Sequence, residues 1–391
     1  MRALRTVVVL LLISLGFLGG YFVGWFVHGE NVVRLTTGQA DAAKQAGALQ
    51  QRVIEELQGR YYKPVDVDKL SAAGVNGTLK SLNDPYTVYF TPKEASAFAE
   101  KLSGQYYGIG AALEKSKNGL VITTVFDGSP AKSAGLKPGD IIVSVDSTST
   151  AGASVEQSIA LIKGKEGSHV TLGVQAQGKG PVKQYDLVRT RIEIPETRKT
   201  MEHAGGQKVG YVQLFEFGGF AARDVRKDIE TLTKQGAQSF ILDLRYNGGG
   251  LLEQAVDVTG IFQTGVVTST EGYHSPKEVL QTNGPVATQK KLVVLVNGFS
   301  ASASEIVTGA LKDHQRAEII GTHTFGKGLV QTTVPLGNGA ALKLTIAVYL
   351  TPNGTDINKK GITPDLVVRQ VPKTKQDEQL QAALKYLTGS K

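Results

Sequence analysis

The sequence predicts a multidomain chain of the α/β and β-rich fold classes, because three residue patterns succeed one another along its 391 positions. A helical segment covers residues 31–103, a β-rich module of short strands covers 104–190, and an α/β core of alternating strands and helices covers 191–370. Such alternation favours a core with at least partly parallel strands. A helical tail is expected over 371–391, and the 41% hydrophobic content is enough to bury more than one core.

Charge and cysteine content narrow the possible functions. The net charge is +8, from 43 basic and 35 acidic residues, but Lys and Arg are interleaved with Asp and Glu along the chain. This distribution argues against a nucleic-acid partner. Cysteine is absent, which excludes thiol nucleophiles, disulfides and thiolate metal sites, and suits a compartment in which a stray thiol would be oxidised.

Residues 1–30 are interpreted as an N-terminal transmembrane anchor. Two arginines precede residues 6–27, an uncharged stretch of 22 residues, which as a helix would span about 30 Å of hydrocarbon. Tyr21 and Trp25 fit an interfacial aromatic belt. A cleaved signal peptide is the alternative, but the apolar run is long and lacks a convincing cleavage site. Either way, we expect the rest of the chain on the extracytoplasmic side of the cell membrane.

The individual elements follow from local periodicity. In the helical segment, VIEELQGRYY and KEASAFAEKL flank a turn at DPYTVYF. The β-rich module contains strand patterns at LVITTV, DIIVSV and HVTLGV, and one helical pattern at SVEQSIALIKG. The core alternates the strands VGYVQLF, FILDLR and KLVVLV with the helices RDVRKDIETLTKQG, LLEQAVDVTGIF and SEIVTGALKDH. Ligand chemistry in such cores lies where strands turn into helices, which singles out RYNGGG and NGFSASASE.

The segment GTHTFGKGLVQTT resembles a phosphate-binding loop but fails two requirements. Gly328 follows Lys327 at the position where that loop needs Ser or Thr to ligate magnesium. The loop must also open a helix, whereas TTVPL and ALKLTIAVYL downstream have the pattern of strands. We therefore exclude nucleotide binding.

The two turns of the core allow structural and chemical interpretations. RYNGGG is either a tight connection or a place where glycine backbone amides approach an oxyanion. NGFSASASE carries Ser300, Ser302 and Ser304, and Ser302 with Glu305 matches a helix capping box. Taken alone, these patterns favour connection and capping.

In combination, the motifs resemble the carboxyl-terminal processing peptidases, also called tail-specific proteases. In that family a serine in an S-A-S-E segment pairs with a lysine in T-F-G-K-G, and a glutamine follows four residues later. The resemblance implies Ser302, Lys327 and Gln331 as the catalytic unit, and the backbone amides of Gly249 and Ala303 as the oxyanion hole. LDLRYNGGGLLEQAV and DPYTVYFTP are also similar to family segments. Gly248 departs from them, since relatives often have proline there, and we expect a looser turn with function retained.

The chemistry of a serine and lysine pair is consistent with this resemblance. An exposed lysine, with a pKa of about 10.4, is protonated at neutral pH and cannot accept the serine proton. Burial lowers the pKa of a lysine, which turns its amine into a general base. The six histidines form no metal-binding spacing, and neither G-x-S-x-G nor G-D-S-G occurs. We therefore expect no metal and no cofactor.

Gln331 carries a geometric expectation. Residues four apart lie about 13 Å apart in a strand and about 6 Å apart on one helical turn. If Gln331 orients the amine of Lys327, GKGLVQ forms a turn or short helix and the next strand begins at about Thr332. A plain exposed turn residue is the alternative for Gln331.

The β-rich module resembles a PDZ domain through YYGIGAAL and VFDGSPAKSAGLKPGDIIVSVD. PDZ domains bind a terminal carboxylate in a loop of backbone amides and add the peptide as a strand. The resemblance implies a loop that binds the carboxylate, formed by Tyr107, Gly108, Ile109 and Gly110. It also implies a pocket for the last side chain, lined by Val155, Ile159 and Leu161. The alternative for the apolar residues among them is a place in the core of the module. Arg189 or Arg191, at the junction with the core, could couple peptide binding to the protease.

The predicted function is a serine endopeptidase that recognises apolar, unstructured C-terminal tails of extracytoplasmic proteins. The membrane is contacted through the N-terminal helix, and a homo-oligomer is possible. Two alternatives remain: a non-catalytic scaffold or chaperone with an inactive core, which the intact catalytic residues disfavour, and a hydrolase of small esters or amides, which the PDZ-like module disfavours.

Overall fold

The computed structural model describes residues 36–371, 374 and 376–389. They divide into two compact units, one containing Gln331–Thr345 with the described residues up to Ala95, the other containing Ser96–Val330 with the described residues from Ile346 onward. The predicted anchor over residues 1–30 lies outside the described residues. Among the helices of the described ranges, none combines the length and the apolar character needed to cross a membrane.

The first unit contains a helix that includes most of the predicted VIEELQGRYY segment, and a second helix that the sequence analysis did not identify. Helix α1 spans Thr37–Arg60 and helix α2 spans Val67–Lys80, and neither has a fully buried residue. Asp84 forms the turn predicted at DPYT, since its carboxylate accepts hydrogen bonds from the Tyr86 amide (2.9 Å) and the Thr87 hydroxyl (2.6 Å). The strand that follows the turn pairs antiparallel with a later segment of the same unit: β1 is Val88–Phe90, and its partners are residues 341–343.

A small β module with its own core opens the second unit. Its main sheet has the order β3-β4-β5-β7-β8, with β6 paired to β5, and β2 pairs separately with β9. Its apolar core includes Leu120, Ile122, Ile142 and Leu172, all 0–1% exposed. The preceding helix and the elements of the module are α3 Pro92–Ser103, β2 Gln105–Gly108, β3 Ala111–Ser116, β4 Gly119–Val125, α4 Pro130–Ser133, β5 Ile141–Val145, β6 Thr148–Ser149, α5 Val155–Ile162, β7 His169–Gln175, β8 Val182–Val188 and β9 Thr190–Glu193.

The α/β core is a six-stranded sheet of order β10-β11-β12-β15-β16-β19. The strands from β11 onward are parallel and β10 is antiparallel, which confirms the predicted partly parallel core. The elements are β10 Thr197–Ala204, β11 Gln207–Leu214, α6 Ala221–Lys234, β12 Ser239–Asp243, α7 Leu252–Gly260, β13 Gly265–Glu271, β14 Glu278–Thr282, β15 Leu292–Val296, α8 Ala303–Asp313, β16 Glu318–Gly321, β17 Leu329–Pro335, β18 Ala341–Leu350, β19 Leu366–Val367 and α9 Glu378–Thr388.

Helices cover both faces of this sheet, which explains why its strands are apolar throughout rather than alternating. Phe240 and Leu242 pack with α6, α7 and α8 on one face. Ile241 packs with α9 on the other face, against Leu384 and Leu387. The short polar connections at the carboxyl ends of the parallel strands are therefore the part of the core open to a ligand.

The buried side chain of Glu196 joins the β module to the core. It is 5% exposed and accepts hydrogen bonds from the amides of Gly218 (2.8 Å) and Phe220 (3.2 Å). Gly104, just before the module, has φ +67°, and a Cβ there would lie 2.5 Å from Glu196 Oε1. Burial, with added repulsion from the charge of Asp224, raises the pKa of Glu196 to about 7 despite the two amide hydrogen bonds.

This raised pKa predicts that stability falls as pH rises. Between about 4.5, the ordinary pKa, and about 7 the folded protein holds a proton at Glu196 that the unfolded chain has lost. The free energy of unfolding should therefore decrease across this window by up to about 3 kcal/mol relative to Glu196→Gln, which carries no charge. Urea unfolding at pH 5 and pH 8 measures the difference. Exposed Glu166→Gln is the control, and parallel pH dependences of wild type and Glu196→Gln would contradict the assignment.

Candidate active site

Ser302 occupies a sharp turn between strand β15 and helix α8. It is the N-cap residue of α8, with φ +57° and ψ −115°, and it is half-buried. A non-glycine residue at positive φ is strained, and such strain collects at functional sites. The capping interpretation is correct for its position, because the Glu305 carboxylate accepts from the Ser302 amide (2.9 Å). Capping and chemistry are therefore compatible at this serine.

The structure distinguishes Ser302 from its two neighbours. Ser300 and Ser304 are completely buried. The Ser300 hydroxyl donates to the carbonyl oxygen of Leu244 (2.8 Å), and the Ser304 hydroxyl donates to that of Asn247 (2.9 Å). Both hydroxyl protons are thus engaged in holding the turn together, and only Ser302 is accessible to a substrate.

One buried carboxylate fixes the serine segment to the lysine segment. Glu305 is 0% exposed. Its Oε2 accepts from the amides of Ser302 (2.9 Å) and Lys327 (2.9 Å). Its Oε1 accepts from the amide of Gly326 (2.7 Å) and the hydroxyl of Thr324 (2.6 Å). The sequence pattern identified Glu305 only as a capping partner, yet it holds the two candidate catalytic residues in one frame.

A buried tyrosine makes a second bridge between the same segments. The Tyr349 hydroxyl lies 2.7 Å from the carbonyl oxygen of Lys327 and 3.2 Å from that of Ser302. Burial, together with the charge of Glu305, raises the pKa of Tyr349 well above its ordinary value, so its hydroxyl stays a donor. Nothing in the local sequence around YLTP marked this residue, because its partners lie far away along the chain.

Two glycines allow the segment around Lys327 to be packed closely. Gly326 has φ +87°, and a Cβ there would lie 2.9 Å from the Gly361 amide nitrogen. A Cβ on Gly328 would lie 2.6 Å from the amide nitrogen of Asn358. Lys327 itself is half-buried between them. A side chain at either glycine would push the following loop away from the lysine.

The turn predicted around Gln331 is wrong. Strand β17 begins at Leu329, so Gln331 lies inside a strand, and residues 323–328 before it form neither helix nor strand. The pairing of this segment starts early because the Tyr349 amide already donates to the carbonyl of Gly328 (3.1 Å). Within the described chain, the side-chain amide nitrogen of Gln331 is buried and has no hydrogen-bond partner. Its role stays a prediction.

The two candidate oxyanion donors differ in whether their backbone amides already donate a hydrogen bond within the protein. Gly249 has φ +103°, and a Cβ there would lie 2.8 Å from the Ser302 Cβ, so only glycine fits beside the serine. However, its amide donates to Asn247 Oδ1 (2.9 Å) and is committed to the turn. The Ala303 amide lies at the start of α8 and has no partner among the described residues. Gly248 is exposed and a Cβ there would meet nothing within 4 Å, so the departure from proline costs no packing.

The peptide site predicted in the β module includes a residue whose side chain lies in the module's own core. Ile109 is 1% exposed and its side chain belongs to that core, which leaves its backbone for the predicted carboxylate loop. Tyr107, which is 41% exposed, and Gly108, which is buried, end strand β2, so only Ile109 and the buried Gly110 form a loop before the next strand. The edge strand β3 follows this loop and contacts α5. On α5, Val155 and Ile159 are half-buried and Leu161 is exposed.

Arg189 is a structural residue of the β module. It is 7% exposed, and its guanidinium donates to the carbonyl oxygens of Leu161 (2.9 Å) and Ile162 (2.8 Å), at the end of α5. It therefore caps the helix that carries Val155, Ile159 and Leu161, the predicted pocket residues. Arg191 is exposed and lies 3.9 Å from the carboxylate of Glu193.

Comparisons with known proteins agree with the order of these parts. The model of peptidase family S41 matches residues 208–368, and the model of the PDZ domain matches residues 97–175. The carboxy-terminal processing protease CtpA of Bacillus subtilis (strain 168) is 37% identical over 317 residues, which cover 81% of this chain and 67% of that protein. The probable CtpA-like serine protease of Staphylococcus aureus (strain COL) is 37% identical over 324 residues, or 81% of this chain and 64% of that one.

The chain thus spans slightly less than two thirds of the length of the first curated relatives that it matches. Among solved structures, the photosystem II D1 C-terminal processing protease superposes with a TM-score of 0.51 at 28% identity. That match covers 91% of this chain and 98% of the other.

Proposed function

Since the chain belongs to peptidase family S41, as a relative of the carboxy-terminal processing proteases, we propose that it is a serine endopeptidase that processes the C-terminal tails of proteins. The observation that carries this proposal is the Glu305 carboxylate, which binds the backbone amides of both Ser302 and Lys327. A nucleophile and a base must be held in fixed register if proton transfer is to accompany attack.

In the proposed mechanism, Ser302 Oγ attacks the scissile carbonyl while Lys327 Nζ takes its proton. The tetrahedral intermediate collapses when the lysine returns that proton to the leaving amine, and water then hydrolyses the acyl-enzyme by the same route. The Ala303 amide, at the positive end of α8, is the first oxyanion donor. Gly249 becomes the second when its amide exchanges Asn247 for the substrate oxygen. The role implied for Gln331 stays a prediction.

The β module supplies substrate recognition in this proposal. Strand β3 lies at the edge of its sheet, and a peptide can add to such an edge as a further strand. The segment from Tyr107 to Gly110, at the end of β2, would bind the terminal carboxylate through its backbone, while Val155, Ile159 and Leu161 would line the pocket for the last side chain. We also propose an extracytoplasmic site of action and membrane attachment through residues 1–30. A homo-oligomer is compatible with the proposal.

Peptides that differ only at the C-terminus test this recognition. Amidation of the terminal carboxylate, or replacement of the last apolar residue by Asp, should lower kcat/KM about 10-fold or more, mainly by raising KM, because ground-state binding is lost. The control is the same pair of peptides with Ser302→Ala, which should cleave neither. Equal kcat/KM for amidated and free-acid peptides would remove this role from the module.

A degradation assay tests the proposed activity itself. The full chain is incubated with an unfolded protein that ends in an apolar free C-terminus, in the presence of a chelator. We expect cleavage by the wild type and none by Ser302→Ala. Absence of cleavage by a folded wild type that still binds the tail would favour the scaffold alternative, and turnover of small esters alone would favour the general hydrolase.

A further inference from the structure

A row of exposed aromatic side chains follows the carboxyl ends of the core strands. Each of the four neighbouring parallel strands β11, β12, β15 and β16 is followed within four residues by one exposed aromatic residue. Their exposures are 47–70%: Phe215, Tyr246, Phe299 and Phe325. Large apolar side chains gathered at one edge in water mark an interaction site rather than a core.

Two members of the row are stacked on each other, and both belong to the turns of the candidate active site. The rings of Tyr246 and Phe299 have centroids 5.4 Å apart and planes inclined by 23°, and they are 70% and 65% exposed. Tyr246 lies on the turn that carries Gly249, and Phe299 lies on the turn that carries Ser302. Since Gly249 lies against Ser302, the stacked pair stands on the two connections that form the active site.

The backbone beneath the pair is fixed. A single buried oxygen, Asn297 Oδ1, accepts from the amides of Tyr246 (3.1 Å) and Phe299 (3.0 Å). Tyr246 also has φ +63°, a conformation that costs free energy in a non-glycine residue. A rigid and strained backbone that holds two solvent-exposed rings does not stabilise the fold. We therefore interpret this backbone as preorganised for binding.

We propose that Tyr246 and Phe299 form a subsite that binds a large apolar side chain of the substrate close to the scissile bond. The occupant is one side chain of the extended polypeptide that Ser302 cleaves, and the stacked rings offer it an apolar face that needs little rearrangement. This inference rests on the proposed protease function and adds a second selection step. The tail is recognised by the β module, whereas the position of the cut is chosen at the stacked pair.

Two unstructured peptides with the same apolar, free C-terminal tail test this subsite. One carries a single internal Phe and the other carries Ser at that position. The wild type should cut next to the Phe. The Tyr246→Ser/Phe299→Ser double variant should lose about 10- to 100-fold in kcat/KM for the Phe peptide, the range for a lost apolar contact, and lose a clearly smaller factor for the Ser peptide. Tyr273→Ser, an exposed aromatic at a hairpin turn, is the matched control.

The possible results distinguish a failure of the proposed subsite from a failure of the proposed protease function. Equal losses of kcat/KM for both peptides, or an unchanged cleavage map by mass spectrometry, would contradict the subsite. If cleavage still depended on Ser302, the proposed protease function would be unaffected. A change in the mass of the assembly with an unchanged map would overturn the subsite too, and would assign the pair to a contact between copies. Absence of any Ser302-dependent cleavage by the wild type would overturn both proposals.

Discussion

Ser302→Ala and Lys327→Ala should each lower kcat for an unfolded protein substrate by at least about 10⁴-fold while leaving the fold intact. The two side chains act as one proton-transfer unit in the proposed mechanism, so losing either removes the same step. The double variant should therefore be no slower than the slower single variant. Turnover is measured with full-length protein at several pH values, and urea unfolding checks that each variant is folded.

The matched control for the lysine is Lys360→Ala, which removes an exposed amine from the loop that packs against Gly326. It should keep wild-type turnover. Retention of activity by Lys327→Ala would remove the base from this account, and additive losses in the double variant would mean that the two residues serve different steps.

Glu305→Gln should damage both stability and catalysis, although Glu305 touches no substrate in the proposed mechanism. The carboxylate accepts four hydrogen bonds, two at each oxygen. A glutamine keeps one oxygen and presents an NH₂ group to the other two donors, which leaves buried donors unpaired. We expect a loss of about 2–4 kcal/mol in the free energy of unfolding and about 100-fold in kcat, with KM nearly unchanged.

The control for Glu305 is Glu253→Gln, an exposed glutamate that also lies in the first turn of a helix following a parallel strand. It should change neither quantity appreciably. If Glu305→Gln lost stability but turned over substrate at the wild-type rate under folding conditions, Glu305 would be structural only. The relative position of Ser302 and Lys327 would then be fixed by contacts other than those of Glu305.

Local patterns predicted the parts of this protein that depend on local physics. The buried strand FILD and the amphipathic helix before it were found because both faces of a parallel sheet and one face of a helix impose their periods on the sequence. Ser302 was selected by resemblance, and its exposure beside two buried serines gives that selection a physical basis.

The residues that the sequence did not reveal depend on contacts distant along the chain. Tyr349 meets Ser302 across 47 residues, and no local period signals such a meeting. Gln331 was expected in a turn because the spacing of four residues from Lys327 was considered alone. The hydrogen bond from the Tyr349 amide to the Gly328 carbonyl, which the sequence did not reveal, precedes an extended strand instead. Ile109 was assigned to a carboxylate-binding segment through its backbone, and its side chain belongs to the core of the β module, an alternative that the sequence left open.

Trapping of the acyl-enzyme tests the central claim most directly. The full chain is mixed with a peptide substrate, quenched in acid at successive short times, digested, and analysed by mass spectrometry. The account predicts the N-terminal part of the substrate joined as an ester to Ser302, and no such adduct when Lys327 is replaced by Ala. An adduct on any other residue, or cleavage that proceeds with none on Ser302 at any time point, would contradict it.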